Sequence, residues 1–280
     1  MSNSNEFLYL MESDEEALRL DLKTKGDVVE EQASFAGIKP GMRVVDVGCG
    51  SGKTTSLLHT LVQPGGEAVG IDISENRIRY AVDHYGRDGI RFVRMDMRDP
   101  LGDLGKFDFL WIRFVLEYYR TEAWSIVQHA ASVLRPGGIL CLIDLDYNCL
   151  THFEMPERLQ KTTQEIIRMA QKKANFDPYV GRKLYSYLYK LDFTKIRVRV
   201  GVHHLIYGNL STIDAYVWER KLEVAGKRIG LNFHRYSSGY EGYAAEFKAF
   251  FNDPSRFTYT PVISVCGRKR KSRAMLKGLA

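Results

Sequence analysis

The apolar positions of this chain alternate between two periods. The segment from residue 13, Ser-Asp-Glu-Glu running into ALRLDLKTK, has a cap residue, early acids and late lysines, as a helix start and end require. A second helix is expected over 28–35, closed by Gly37 and Pro40-Gly41. Then the period shortens. Residues 43–47 (RVVDV) form a brief β-branched run that ends in a glycine loop, and 53–62 return to helical spacing. Further strands are expected over 68–73, 90–95, 107–114 and 139–145, with helices over 75–85 and 121–134.

Short apolar strands separated by helices imply β-α-β units and a parallel sheet covered on both faces. In such sheets ligands bind beyond the carboxyl ends of the strands, where strand order reverses, and the loop after the first strand falls at that point. After residue 145 the alternation breaks. Helices are expected over 156–173 and 181–191, a strand over 195–207, an aromatic helical stretch over 209–252, and a last strand over 258–266. The division that results is an N-terminal helical cap (1–35), an α/β domain (36–270) with helical lid segments at about 151–192 and 209–253, and a basic tail (271–280). The second lid, some 45 residues, is too long for a bare loop in a compact domain.

Composition changes this picture little. At 280 residues, 45% hydrophobic and 26% charged, the balance is that of a globular protein. No run approaches the length of a membrane span, and the polar, acidic start does not read as a secretory signal. The scattered cysteines (Cys49, Cys141, Cys149 and Cys266) read as reduced thiols of a cytoplasmic protein, without metal-ligand spacing, so no metal is expected. The net charge of +6 invites a nucleic-acid reading. However, Arg268, Lys269, Arg270, Lys271, Arg273 and Lys277 crowd the last 13 residues. Without those six, the 40 bases fall to the number of the 34 acids. The basicity belongs to the tail, read as a solvated end, and nucleic acid is not the expected partner.

The chemistry-bearing motif is Asp46-Val47-Gly48-Cys49-Gly50-Ser51-Gly52. A phosphate-binding loop of the G-x-x-x-x-G-K-[ST] kind would need its leading glycine at Val47, and Asp46 would repel a triphosphate. A dinucleotide loop spaces its third glycine one residue later than here. S-adenosylmethionine (SAM) has no phosphate and carries a sulfonium and an ammonium group. Asp46, with backbone amides bared by Gly48, Gly50 and Gly52, suits its zwitterionic end. Asp72 closes the second strand, 20 residues after Gly52, where a carboxylate can accept from both ribose hydroxyls. Asp96 closes the third, where it can accept from the adenine amine while Met97 packs the ring.

VVDVGCGSGKTT, GIDIS, FVRMDM, FDFLWIRFVLEY and VLRPGGILCLID resemble the successive motifs of class I SAM-dependent methyltransferases, in the manner of the ubiquinone/menaquinone-biosynthesis type. The resemblance is close over residues 38–145. It implies a Rossmann-like seven-stranded sheet whose last strand is antiparallel. It also implies SAM as cofactor and S-adenosylhomocysteine (SAH) as product. Its residue-by-residue cofactor set is Asp46, Gly48, Cys49, Gly50 and Gly52 at the methionine end, Asp72 and Ile73 at the ribose, Asp96 and Met97 at adenine, and Arg113 near the amino group, with Tyr9 as a cover from the N-terminal helix.

Methyl transfer from a sulfonium needs orientation and a dry site, and a base only where the acceptor must lose a proton. The place after the fourth strand reads WIRF, not the Asn/Asp-Pro-Pro-aromatic run typical of base-amine methylation. No cysteine lies between Cys49 and Cys141 to serve as a cytosine-attacking thiolate. Aromatic residues follow strands four and five (Phe114, Tyr118, Tyr119, Tyr147, His152, Phe153) and recur in the insertion (Tyr216, Trp218, Phe233, Tyr236, Tyr240). They suit a small, partly apolar acceptor methylated on O, N or C. The candidate bases are His152, then Glu117, Tyr118 and Tyr147. The alternative is an RNA or protein methyltransferase anchored by the tail. The sequence leaves monomer and homodimer open.

Overall fold

The computed structural model describes residue 11 and residues 15–271. In chain order the elements are α1 (Glu16–Lys23), α2 (Gly26–Ala36), β1 (Arg43–Val47), α3 (Lys53–Leu61), β2 (Glu67–Asp72), α4 (Glu75–Tyr85), β3 (Ile90–Arg94), β4 (Phe107–Arg113), α5 (Ala123–Ser132) and β5 (Leu134–Leu145). They continue with β6 (His152–Phe153), α6 (Glu157–Lys173), α7 (Leu184–Lys190), β7 (Thr194–Ile206), α8 (Thr212–Arg228), α9 (Tyr240–Asn252) and β8 (Phe257–Arg268).

The strands form one sheet in the order β3-β2-β1-β4-β5-β8, with β7 on the far side of β8. The first five are parallel, and β8 runs antiparallel to β5, with Cys141 opposite Cys266. This is the Rossmann-like architecture expected, with one correction: the sheet has eight strands, not seven. The extra one is the two-residue β6, which pairs with Phe257 and Thr258 where β8 runs past the end of β5.

Period-two alternation sorts the strand residues between two cores. Val45, Val47, Leu110, Ile112, Leu140 and Leu142 face the cluster that α5 and α7 complete. Val44, Phe109, Trp111, Ile139 and Cys141 face α2 and α3. Val69, Ile71, Phe107 and Trp111 are fully or almost fully buried, and each such side chain contributes about 1.5–3 kcal/mol. A third cluster lies outside the sandwich, where α6, α8 and α9 pack Leu159, Ile166, Trp218, Leu222, Phe247 and Phe251 together.

That third cluster redraws the expected lid over 151–192. Of its two helices α6 joins the helical lobe, together with Phe176 just after it. Leu184 and Leu188 of α7 bury into the sheet core, so α7 is a layer of the sandwich. The bases just before the expected tail are held by the fold. Lys269 donates to the carbonyls of Ala131 (2.8 Å), in the last turn of α5, and Leu134 (3.0 Å), at the start of β5, and Arg270 pairs with Asp192. No helix among the described residues is long and apolar enough to cross a membrane.

Candidate active site

Two adjoining hollows open beyond the carboxyl ends of the parallel strands. The larger, of about 370 Å³, is bounded by the loops after β1, β2, β3 and β4 and roofed by Leu20, Lys23 and Thr24 around the end of α1. Of the residues expected at the cofactor, Gly48, Cys49, Gly50, Asp72, Ile73, Met97 and Arg113 stand on its wall. Gly52, Asp46 and Asp96 do not, and Tyr9 lies outside the described residues.

The three departures have physical causes. In β1, Val45 and Val47 take the α5 face, so Asp46 between them must take the α3 face. There its Oδ2 accepts from the Thr55 hydroxyl at 2.7 Å. Burial raises the Asp46 carboxyl to about 7, against the opposing pull of that bond and of Arg113. Asp96 is engaged by Arg98, whose Nε lies 3.0 and 2.9 Å from its two oxygens. Its carboxylate braces the turn that presents Met97. Gly52 sits where a Cβ would fall 2.6 Å from that of Ala81, so it serves the contact of α3 with α4.

The glycine loop also differs in how it works. The N–H groups of Gly48 and Cys49 donate to the Ile71 carbonyl (2.8 and 2.9 Å), that of Gly50 to Asp72 (3.0 Å), and that of Gly52 to Cys49 (3.0 Å). The expected free amides are spent inside the protein. What the loop offers a ligand is room: at Gly48, φ is +77° and a Cβ would stand 2.5 Å from Val115. Asp72, 6% exposed, anchors the wall by accepting from Gly50, from Ser74 (2.9 Å) and from Arg77 (3.0 Å). Phe114, just past β4, holds φ at +57°, a costly conformation for a ring-bearing residue at the cavity edge.

The smaller hollow, about 70 Å³, lies under the helical lobe, and Tyr118 belongs to both walls. Its lining is mostly apolar (Ile166, Phe176, Trp218, Phe247), with Asn148, His152, Thr163, Lys221 and the Tyr243 hydroxyl as polar exceptions. The four candidate bases separate here. His152 reaches the wall, its Nδ1 2.9 Å from the Thr258 hydroxyl and its ring edge-on to Trp218, Phe250 and Phe251. Burial pulls its imidazole down to about 4, so it is neutral at neutral pH and a weak base.

Glu117 is buried behind the wall, where it accepts from Asn148 Nδ2 at 2.6 Å; burial first of all raises its carboxyl. Tyr118 sits between the hollows. Tyr147 is a correction: it is 43% exposed and covered by the Arg182 guanidinium, on neither wall.

Lys23 and Lys221 were not singled out from sequence. Lys23 read as a helix-end charge, yet it roofs the larger hollow, and burial lowers its ammonium to about 7. Lys221 has a sequence signal: it stands three residues after Trp218 and one before Leu222, on the same face of α8. Among the described residues, no group of His, Cys, Asp or Glu could hold a metal ion.

Residues 38–190 match the family described as methyltransferase domain. A demethylmenaquinone methyltransferase of Staphylococcus aureus is 26% identical over 61% of this chain and 78% of its own length. The 27-O-demethylrifamycin SV methyltransferase of Amycolatopsis mediterranei is 31% identical over 47% of this chain and 48% of its own. The matched stretches span 33% to 78% of the first three curated relatives' lengths. Phosphoethanolamine N-methyltransferase 2 of Haemonchus contortus, solved with SAH, superposes with a TM-score of 0.55 at 14% identity, over 92% of this chain and 58% of that one.

Proposed function

The chain belongs to the methyltransferase-domain family and carries a SAM-dependent methyltransferase domain, and on that premise we propose that it methylates a small, largely apolar acceptor seated under the helical lobe. The observation that carries this reading is the smaller hollow, walled by Trp218, Phe247 and Phe176 and sharing Tyr118 with the larger one. A chamber of this size, closed by α6, α8 and α9, takes a ring or short chain and excludes a folded macromolecule.

The residues of the larger hollow fit SAM. Its volume, the space held open at Gly48, and a wall carrying both Asp72 and cations match a ligand that is zwitterionic at one end and aromatic at the other. In this reading Lys23 and Arg113 hold the methionine carboxylate, and Gly48 and Gly50 give it a surface without side chains. The Ser74 amide and the Arg77 guanidinium both crowd Asp72 Oδ1, whereas Oδ2 meets the Gly50 amide, so with about two acceptor sites per carboxylate oxygen Oδ2 can still accept from a ribose hydroxyl. Met97 packs against adenine. When bound, the cofactor supplies a methyl group on a positively charged sulfur.

Tyr118 and the aromatic lobe then exclude water and align the acceptor, which is where most of the rate enhancement of such a displacement arises. The free thiols Cys49, Cys141, Cys149 and Cys266 support a reducing, cytoplasmic setting. The test is transfer of labelled methyl from SAM into cell extract separated by size. Label in the small-molecule fraction supports the reading; label in RNA or protein alone overturns it.

A further inference from the structure

Of the polar groups on the wall of the smaller hollow, Asn148 is engaged by Glu117 and Thr163 by Tyr243, whereas Trp218, Lys221 and His152 gather where α8 meets β6. Trp218 is 3% exposed, and among the described residues its indole Nε1 has no hydrogen-bond partner. The His152 Nε2 atom, 5.6 Å away by ring centroids, has none either. Lys221 places its ammonium 4.5 Å from the Trp218 ring centroid and 3.4 Å from His204 Nε2. Among the described residues no carboxylate pairs with it. Burial first, and then the charge of Lys221, keep His204 well below its usual value, so the ammonium faces a neutral imidazole. The Lys221 ammonium thus has a neutral imidazole as hydrogen-bond partner, with the buried charge of Glu117 acting on it from beyond ion-pair distance, and the indole N–H beside it has no acceptor among the described residues; both can take an acceptor carrying negative charge.

Resting on the reading above, we propose that this chamber selects a flat, apolar acceptor bearing one acidic hydroxyl, a phenol or an enol. Its oxygen is held as the anion on the Lys221 ammonium, with the Trp218 indole N–H as a second donor. Lys221 is then a specificity-determining residue. The hydroxyl proton leaves to solvent on binding. In the transfer, an oxygen lone pair forms the C–O bond while the methyl–sulfur bond breaks, leaving its electron pair on sulfur as a neutral thioether. The methyl ether product carries no charge, so it loses the Lys221 contact and departs.

This assignment explains why no strong base meets the chamber. His152 is held neutral, and Glu117 stands behind Asn148. The titratable groups around the Lys221 ammonium are Lys23 on α1, Glu117 after β4, Cys149 after β5, His152 on β6, and His203 and His204 on β7.

The probe is 4-nitrophenol, whose anion absorbs visibly and whose neutral form does not, with nitrobenzene as the uncharged comparison. Both are titrated into SAH-loaded protein at a pH where free 4-nitrophenol is mostly neutral. The expected result is growth of the anion band and at least about ten-fold tighter binding than nitrobenzene. Lys221→Met should abolish both effects and Lys221→Arg should retain them, with SAH affinity and circular dichroism unchanged in each as the check on folding. No binding of 4-nitrophenol, binding without anion gain, equal binding of nitrobenzene, or anion gain that survives Lys221→Met overturns the assignment. Failure of SAH itself to bind strikes the methyltransferase reading instead.

Discussion

The Asp72 carboxylate accepts from the Gly50 amide at 3.0 Å and from the Arg77 guanidinium at 3.0 Å, tying the end of β2 to the glycine loop and to α4. One side chain thus shapes the cavity wall and neutralises a buried cation, since Arg77 is 5% exposed. Asp72→Asn keeps the size and removes the charge. It should weaken SAM binding at least about ten-fold and lower stability by about 3 kcal/mol, the order of a broken buried pair. Calorimetry and urea unfolding read the two effects separately. Unchanged affinity would remove Asp72 from the cofactor site.

Gly48→Ala should cost about 1–3 kcal/mol and most of the SAM affinity, because it adds both a Cβ 2.5 Å from Val115 and strain at φ +77°. In the double variant with Val115→Ala the clash is relieved and the strain is not, so partial recovery is expected. Full affinity in Gly48→Ala alone would show that the loop has slack the geometry denies it.

These two sites also show what the sequence carries and what it does not. The strand–loop–helix alternation and the switch point were legible because period and turn chemistry are local; the antiparallel last strand followed from the family resemblance alone. The face taken by Asp46 was legible too, from Val45 and Val47 on either side, but the glycine spacing drew attention to the loop instead. The spending of the loop amides on Ile71 and Asp72 was not legible, since it depends on the register of β1 against β2. Tyr147 could not be told from Tyr118 by pattern. Both follow a strand end, and only packing sends one to the cavity and the other under Arg182.

Asp46 makes stability depend on pH in an identifiable direction. Burial raises its carboxyl from near 3.8 unfolded to about 7 folded. The folded protein therefore holds a proton that the unfolded chain has lost between those values. This contribution is full below the unfolded value and declines as pH rises toward 7. Asp46→Asn removes the decline, so relative to wild type the variant should gain stability at pH 8 compared with pH 5. Urea midpoints at both pH values decide it; a difference that does not change with pH contradicts the assigned shift.

His152 behaves in the opposite sense. Its folded value, about 4, lies below its ordinary 6.5, so its contribution is present at neutral pH and is lost as pH falls from 6.5 toward 4. The expected observation is an imidazole C2–H resonance that stays at its neutral position from pH 7 to pH 5. A midpoint near 6.5 would show an exposed ring and restore it as a candidate base.

Asp21 joins α1 to the cofactor end of the domain by accepting from Lys53 at 3.2 Å and from the Tyr85 hydroxyl. Asp21→Ala should loosen the roof made by Leu20, Lys23 and Thr24, raising the SAM dissociation constant several-fold, with a melting shift of only about a few degrees. Affinity equal to wild type would mean that α1 does not cover the ligand.

The central claim is that the larger hollow takes SAM and its product. Calorimetric titration of SAH into the wild-type protein and into Asp72→Asn tests it most directly. The structure predicts one site per chain in the wild type and at least about ten-fold weaker binding in the variant. Absence of heat and of thermal stabilisation by SAH in the wild type would contradict the claim outright.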